Sequence, residues 1–149
     1  MNAPADPQFA SRIRASFGRQ KAMALIGASL TLVESGRVEI ELPYREDLTQ
    51  QKGYVHGGII GMIADSACGY AAYTLMPATS SLVTVEYKIN LLSPAVGESL
   101  LARGEVIKPG RTLSVARAEV YARQGGRMVQ VAAMQQTLMT LPDTPDTPE

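Results

Sequence analysis

The chain has 149 residues, 46% of them hydrophobic and 19% charged, which is typical of one globular domain with an ordinary core. Its 14 basic and 14 acidic residues cancel. The chain therefore has no net charge that would attract nucleic acid or a membrane surface. We expect small molecules and further copies of the chain as partners. The single cysteine, Cys68, cannot form an internal disulfide, and residues 1–9 lack the features of a secretory signal. We therefore expect a cytoplasmic protein.

The first half of the chain predicts two helices separated by a hairpin. Apolar residues recur every four positions over about 7–19, which indicates an N-terminal amphipathic helix. Two strand-like segments, 28–34 and 37–43, are joined by a Ser-Gly pair that is typical of a tight turn. Residues 57–76 are then apolar on nearly every face, although Asp65 and several small residues interrupt them. This pattern predicts a central helix enclosed by protein rather than a membrane span.

The second half predicts an antiparallel sheet. Apolar and polar residues alternate from 83 to 91, which predicts a long strand with Thr84, Glu86 and Asn90 on its polar face. Three further strands are predicted over 99–108, 112–123 and 128–140, joined by Pro-Gly-Arg and Gly-Gly turns. The predicted fold class is therefore α+β, with one curved antiparallel sheet wrapped around one central helix in a single domain over 1–141. The repeated Asp-Thr-Pro of 142–149 predicts a disordered tail.

Asp65 is the most unusual residue of the predicted central helix. It lies among apolar and small neighbours, where an unpaired buried carboxylate is strongly disfavoured or becomes protonated. One interpretation is a carboxylate that faces water or pairs with a basic side chain. The other is a functional group, and the helix alone leaves both interpretations open.

Two glycines open the same helix, directly after the only histidine, His56. Gly57 and Gly58 let a ligand approach the unpaired N–H groups of the first turn, where the helix dipole favours a developing oxyanion. A tight loop-to-helix turn is the alternative explanation. Asp65 follows Gly57 by eight residues, which is about 12 Å along a helix. One helix cannot bring both groups to one carbonyl, whereas a second copy packed antiparallel can.

Several motifs together resemble one known family. They are Gln50, His56-Gly57-Gly58, Asp65, Val83-Thr84-Val85 and the Leu-Ser-Pro-Ala of 92–95. With this spacing, residues 20–141 are similar to the hotdog-fold thioesterases of the phenylacetate-pathway (PaaI-like) type. The resemblance implies a hotdog fold, a homodimer or homotetramer with the active site at the subunit interface, and hydrolysis of an acyl-CoA to free acid and CoA. It implies no cofactor, because coenzyme A is part of the substrate.

The resemblance also implies roles for individual residues. The N–H of Gly57 polarises the thioester carbonyl, and Asp65 of the partner acts as nucleophile or as general base toward water. Gln50 helps to hold the carbonyl or the water, Thr84 orients the water, and His56 orders the loop. The residues expected to bind the rest of the substrate are Gly58, Asn90, Lys108 and Arg111, the two basic ones near the coenzyme A phosphates.

Other chemistries are less well supported by the sequence. A hotdog-fold dehydratase or hydratase requires a catalytic histidine in a different motif, and a noncatalytic acyl-CoA-binding module would bind without turnover. Cys68 lies in an apolar run, which favours a buried structural thiol over a nucleophile. No metal-ligand spacing, P-loop or dinucleotide motif is present. An apolar wall that favours an aryl or medium-chain acyl group is predicted from Met62, Ile63, Tyr70, Tyr73 and Met76. Carrier-protein thioesters remain an alternative to CoA thioesters.

Overall fold

The computed structural model describes residues 3–148, in which one long helix packs against one face of a six-stranded sheet. The helices are α1 (Phe9–Arg19), α2 (Lys21–Ile26) and α3 (Gly57–Tyr73), with a short 3-10 turn at Glu46–Leu48. The strands are β1 (Ser29–Glu34), β2 (Arg37–Pro43), β3 (Ser81–Leu91), β4 (Ser99–Lys108), β5 (Leu113–Gln124) and β6 (Arg127–Leu141). All strand pairs are antiparallel, in the order β1-β2-β4-β5-β6-β3. This arrangement confirms the predicted α+β fold of a helix against a curved antiparallel sheet.

The close approach of α3 to the sheet depends on small residues. Ala64, Ala67 and Cys68 on α3 are fully buried, as is Ala102 on β4. At Gly104 of β4, an added Cβ would lie 2.3 Å from the carbonyl carbon of Ala67. The helix therefore rests directly on the backbone of β4, where only glycine leaves enough room.

The helix α1 covers the C-terminal end of α3. Its Ile13 is fully buried, and the guanidinium of Arg12 donates hydrogen bonds to the carbonyl oxygens of Tyr73, Met76 and Pro77 at 3.1, 2.9 and 3.1 Å. The same guanidinium lies 4.3 Å from the centre of the Tyr73 ring. Arg12 thus supplies donors to carbonyls that a helix end leaves without intrahelical partners.

Most predicted element boundaries agree with the structure, and the exceptions have local causes. The central helix ends at Tyr73, three residues before the predicted end at 76, because 74–76 form tighter turns ahead of Pro77. Two elements were missed, α2 and the 3-10 turn, since each is too short to show a periodic pattern.

The alternation predicted for β3 was wrong at one position. A β-bulge between Thr84 and Glu86 sets Thr84 opposite Leu138 but Glu86 opposite Thr137. Adjacent positions of β6 face opposite sides, so the bulge leaves Thr84 on the inner face with the buried Leu138 and turns Glu86 outward. Thr84 and Glu86 therefore do not share a face.

Residues 142–148 contain no helix or strand and lie beside α1. Arg19 forms an ion pair with Asp146 at 3.1 Å, and Ser16 donates a hydrogen bond to the same carboxylate. Disorder of this tail remains a prediction. None of the helices between residues 3 and 148 is long and apolar enough to cross a membrane.

Candidate active site

Asp65 lies at the centre of a small hydrogen-bonded group between α3 and the sheet. Its carboxylate is half-buried, and its Oδ1 accepts a hydrogen bond from the Thr84 hydroxyl at 2.8 Å and one from the Gln136 amide at 2.5 Å. The Gln136 Nε2 also donates to the Thr84 Oγ1 at 2.7 Å. Within the described chain, Oδ2 of Asp65 has no hydrogen-bond partner. One carboxylate oxygen is thus held while the other remains available to a ligand or a water.

Gln136 is the member of this group that the sequence analysis missed. It lies on β6, 71 residues from Asp65, and its side chain is almost completely buried. Its neighbours in the alternating pattern, Met134 and Leu138, are buried apolar residues. A polar residue on the apolar face of a strand is the one sequence signal that could have identified it.

The start of α3 has the donor arrangement expected for an anion. His56 is the N-cap, and its Nδ1 accepts a hydrogen bond from the Gly58 N–H at 2.8 Å. That contact requires an unprotonated Nδ1, so the proton of the neutral ring is on Nε2. In the described part of the chain, the N–H of Gly57 is paired with no acceptor. The cap therefore uses the Gly58 donor and leaves the Gly57 donor at the positive end of the helix.

The strand β3 runs antiparallel to α3 along its whole length. Thr84 contacts Asp65, the Tyr87 hydroxyl approaches Gly61, and Leu91 lies beside Gly57. β3 is also an outer strand of the sheet, and it exposes apolar side chains. Those side chains are Val83, Val85, Tyr87 and Leu91, which are 42 to 56% exposed. An apolar edge strand of this kind is a surface that natural proteins usually cover.

A cavity of about 530 Å³ lies beside Asp65. Tyr70, Tyr73 and Leu82 contribute aromatic and aliphatic surface, and Ser16 and Arg19 of α1 contribute polar groups. The tail residues Thr144–Pro148 form a further part of its wall. Burial raises the pKa of Tyr70 and of Tyr73, so both phenols remain neutral at physiological pH.

Of the apolar residues predicted to form an acyl-binding wall, the structure brings only some to this cavity. Tyr70 and Tyr73 line it, whereas Met62, Ile63 and Met76 do not. The rest of the wall comes from α1, β3, the end of β6 and the tail, all of which are distant from Asp65 in sequence. Helical position alone did not show which side of α3 faces the cavity.

Gln50, Gly58 and Asn90 all lie towards the N-terminal end of α3. The side-chain Oε1 of Gln50 accepts a hydrogen bond from the backbone N–H of Lys52, which leaves the side-chain NH2 of Gln50 available as a donor. Asn90 adjoins Leu91, the residue that lies beside Gly57, and accepts a hydrogen bond from Lys88 at 3.2 Å. None of them contacts Asp65, and the Asn90 side chain faces away from α3, because the adjacent Leu91 is the residue that faces Gly57.

Lys108 and Arg111 lie at the opposite end of the sheet. They flank the turn between β4 and β5, and Thr112 in that turn accepts a hydrogen bond from the N–H of Thr140 near the end of β6. Both side chains are exposed. Within one chain, therefore, the fold does not bring these two basic residues near Gly57, and their proposed contact with coenzyme A requires another copy.

Cys68 is fully buried on α3, and burial raises the pKa of its thiol well above the ordinary range, with a smaller contribution from the charge of Asp65. A thiol in this environment stays protonated and is a poor nucleophile. Among residues 3–148, no cluster of three or more histidine, cysteine or carboxylate side chains could hold a metal ion.

Comparison with known proteins matches residues 52–129, just over half of the chain, to the Thioesterase superfamily. The chain belongs to this superfamily. Its matched segment includes the start of α3, Asp65, Thr84 and three of the strands. The protein is accordingly a thioester hydrolase, as the motifs around Gly57 and Asp65 predicted.

Individual relatives support the same assignment of the chain to the thioesterases. A thioesterase family protein from Silicibacter pomeroyi is 48% identical, with a TM-score of 0.89 over 90% of this chain and 98% of that one. A Saccharolobus solfataricus protein with an esterase name is 39% identical over 93 residues, which are 62% of this chain and 66% of that protein. Acyl-coenzyme A thioesterase 13 of Homo sapiens is 27% identical over 103 residues, which are 67% of this chain and 73% of that protein.

The PaaI protein of the E. coli phenylacetic acid degradation operon shares the fold, with a TM-score of 0.82 over 92% of this chain and 96% of that one. Its sequence is 17% identical, so this likeness concerns the fold alone. It confirms the predicted hotdog fold and the predicted similarity to PaaI.

Proposed function

We propose that this thioesterase hydrolyses aryl- or medium-chain acyl-CoA to the free acid and CoA in the cytoplasm, with Asp65 as the catalytic carboxylate. One observation carries the proposal. The Asp65 carboxylate borders the cavity with Oδ1 held by Thr84 and Gln136, while Oδ2 remains available. A carboxylate fixed through one oxygen has the pre-organisation that base or nucleophilic catalysis requires.

General-base catalysis is the route that the hydrogen-bond count favours. Thr84 donates its only proton to Asp65 and accepts from Gln136, which leaves one lone pair to receive a hydrogen bond from water. Such a water can also reach Oδ2 of Asp65. Oδ2 takes a proton as the water oxygen attacks the thioester carbonyl, the C–S bond then breaks, and the thiolate leaves with that proton. Direct attack by Oδ2 is the alternative route, and an acyl adduct on Asp65 in quenched turnover would identify it.

The oxyanion formed in this attack needs donors, and the N–H of Gly57 is the best candidate. It is unpaired in the described chain and lies at the positive end of α3. The same helix carries Asp65 about 12 Å away. We therefore propose a homodimer, alone or within a tetramer, in which Gly57 of one subunit and Asp65 of the other form each site. The exposed apolar strand β3 favours such pairing.

The acyl group is proposed to occupy the cavity beside Asp65. Its volume lies within the range of about 300–1000 Å³ that is typical of small-molecule pockets. The aromatic rings of Tyr70 and Tyr73 favour an aryl or a flexible aliphatic group. Coenzyme A is favoured because of the name of the Homo sapiens relative. Gln50, Gly58 and Asn90 around the Gly57 end are proposed to hold the thioester and its water, and His56 to order the loop.

The basic residues Lys108 and Arg111 are proposed to contact the coenzyme A phosphates from the second subunit. Both side chains are exposed cations without a protein partner in the described chain. In an antiparallel pair of α3 helices, the C-terminal end of one helix lies beyond the N-terminal end of the other. This geometry brings the β4–β5 turn of one subunit towards the Gly57 end of its partner.

The first experiment measures free-thiol release from a panel of acyl-CoA thioesters by the wild type and by Asp65→Asn. We expect kcat to fall by at least about a hundredfold because the substitution keeps the shape but removes the base. Asp47→Asn is the matched control, since Asp47 is an exposed carboxylate paired with Arg45. Full activity of Asp65→Asn would refute the mechanism, and the best substrate of the wild type would identify the acyl class.

A second experiment tests the shared site by mixing two inactive variants. Gly57→Pro removes the N–H at the first helical position, where proline is well tolerated and the extended ψ of His56 suits a following proline. Random exchange of Gly57→Pro with Asp65→Asn makes about half of the dimers mixed, and each mixed dimer has one site with both groups intact, which is about a quarter of all sites. Recovery of activity on mixing supports the shared site, and no recovery in dimers that have exchanged subunits would refute it. Gly57→Ala, which keeps the N–H, is the control.

A further inference from the structure

We propose that Gln136 is a positioning residue of the thioesterase, whose side-chain amide fixes Asp65 and Thr84 in the arrangement through which Asp65 acts. The proposal rests on the proposed catalytic role of Asp65, and it adds a residue of β6 that no motif identifies. It rests on the contacts of the amide, on the direction that they give to the hydrogen bond of the Thr84 hydroxyl, and on the unfavourable burial of the glutamine.

The Gln136 amide uses both of its hydrogens within the group. One bonds to Asp65 Oδ1 at 2.5 Å and the other to Thr84 Oγ1 at 2.7 Å. The Thr84 hydroxyl completes the triangle by bonding to Asp65 Oδ1 at 2.8 Å. Two donors therefore converge on a single carboxylate oxygen, which fixes the rotation of the carboxylate and leaves Oδ2 as its unoccupied oxygen.

The amide also fixes the direction of the Thr84 hydroxyl. A hydroxyl beside a carboxylate alone can rotate away to donate elsewhere. Because Gln136 donates to Thr84 Oγ1, one lone pair is occupied and the hydroxyl proton is directed to Asp65. The last lone pair of Thr84 Oγ1 is then left to accept a hydrogen bond from the attacking water. Gln136 would thus direct that water through Thr84.

The burial of Gln136 is unfavourable for stability, which argues for a functional reason. The residue is 1% exposed, and its Oε1 is buried without a hydrogen-bond partner in the part of the chain that the structure describes. A buried acceptor left unpaired costs about 1–3 kcal/mol. Met134 and Leu138 flank it on the same face as buried apolar residues, so an apolar side chain would suit this position on packing grounds. Positions that break a local packing rule without compensation are commonly functional.

The test substitutes Gln136→Met, which retains the length of the side chain and removes both donors. We expect kcat to fall by about tenfold to a hundredfold, as for other misplaced catalytic groups, with KM within twofold and the melting temperature equal to or above that of the wild type. Gln135→Met is the matched control because Gln135 is the next residue of β6 and is exposed on the other face. The control should keep the wild-type kcat.

A double-substitution cycle separates positioning from a general structural effect. If Gln136 acts through Asp65, Gln136→Met has no further effect on the residual activity of Asp65→Asn. An equal loss in both backgrounds would overturn the proposal, and so would a Gln136→Met kcat within threefold of the wild type. If Asp65→Asn itself retained full activity, the proposed catalytic role of Asp65 would be refuted, and this inference would be refuted with it.

A second variant covers the case in which Gln136→Met does not fold. Gln136→Glu keeps the size and polarity of the side chain but sets a second carboxylate against Asp65. We expect a folded thioesterase whose kcat at neutral pH is at least tenfold below that of the wild type, because a glutamate supplies at most one donor where the amide supplies two. Wild-type kcat in folded Gln136→Glu would overturn the proposal.

Discussion

Gly104→Ala should displace the central helix and with it the catalytic carboxylate. The added Cβ would lie 2.3 Å from the carbonyl carbon and oxygen of Ala67 and 2.7 Å from the N of Cys68. Ordinary contact begins at 3.4 Å, so helix and strand must separate by about 1.1 Å. The atoms in conflict belong to the helix backbone and cannot rotate away, which places the cost at the upper end of overpacking, about 3 kcal/mol. For a chain of this size, that cost lowers the melting temperature by roughly 10 °C.

The assay pairs thermal unfolding at fixed protein concentration with thiol release from the best acyl-CoA. Asp65 lies two residues before Ala67 on the displaced helix, so kcat should fall as the bonds to Gln136 and Thr84 lengthen. Gly18→Ala is the control, since a Cβ there meets nothing within 4 Å and should raise stability by about 0.5–1 kcal/mol in α1. A Gly104→Ala protein that melts within 2 °C of the wild type, or keeps its kcat, would refute the direct contact of helix and strand as the determinant of the site.

Two further predictions concern the cavity wall and the thiol. Deleting 142–149 removes Thr144–Pro148 from the cavity wall, so KM should fall for acyl-CoA substrates with longer acyl chains. Stability should change little, because the exposed Arg19–Asp146 pair contributes about 0–1 kcal/mol. A KM that depends on chain length as in the wild type would contradict this prediction. Cys68 should resist iodoacetamide at pH 8 in the folded protein, because burial raises the pKa of its thiol and leaves little thiolate. Labelling that abolishes activity before the protein unfolds would instead show that the thiol is accessible.

The periodic patterns of the sequence predicted the fold well, because the spacing of apolar residues within a segment follows the secondary structure of that segment. β2 and β4 begin and end at the predicted residues. The remaining long elements differ by only one to three residues at their ends, where caps and turns rather than periodicity decide the boundary. The six-residue helix α2 lacked enough turns to show a period, and was therefore missed.

The candidate site was only partly predictable, since its residues meet through the sheet. Asp65 was recognisable as a carboxylate in an apolar helix, and Gly57 as a residue that leaves the helix start open. Gln136 could not be connected to Asp65, because the two lie 71 residues apart and meet only when β6 packs beside β3 on α3. Thr84 was identified by resemblance, yet strict alternation placed it on the wrong face.

The sequence by itself determined the class of fold, the central helix with its exposed donor, and the carboxylate eight residues further on, because each is encoded in local composition and spacing. Only the tertiary structure decided which groups meet that carboxylate. A single bulge in β3 leaves Thr84 facing α3 while Glu86 faces outward, and one buried amide on β6 occupies Oδ1 of Asp65. Both depend on how β3 and β6 pair and pack against α3, and the alternation within a single strand does not show a bulge or a partner on another strand.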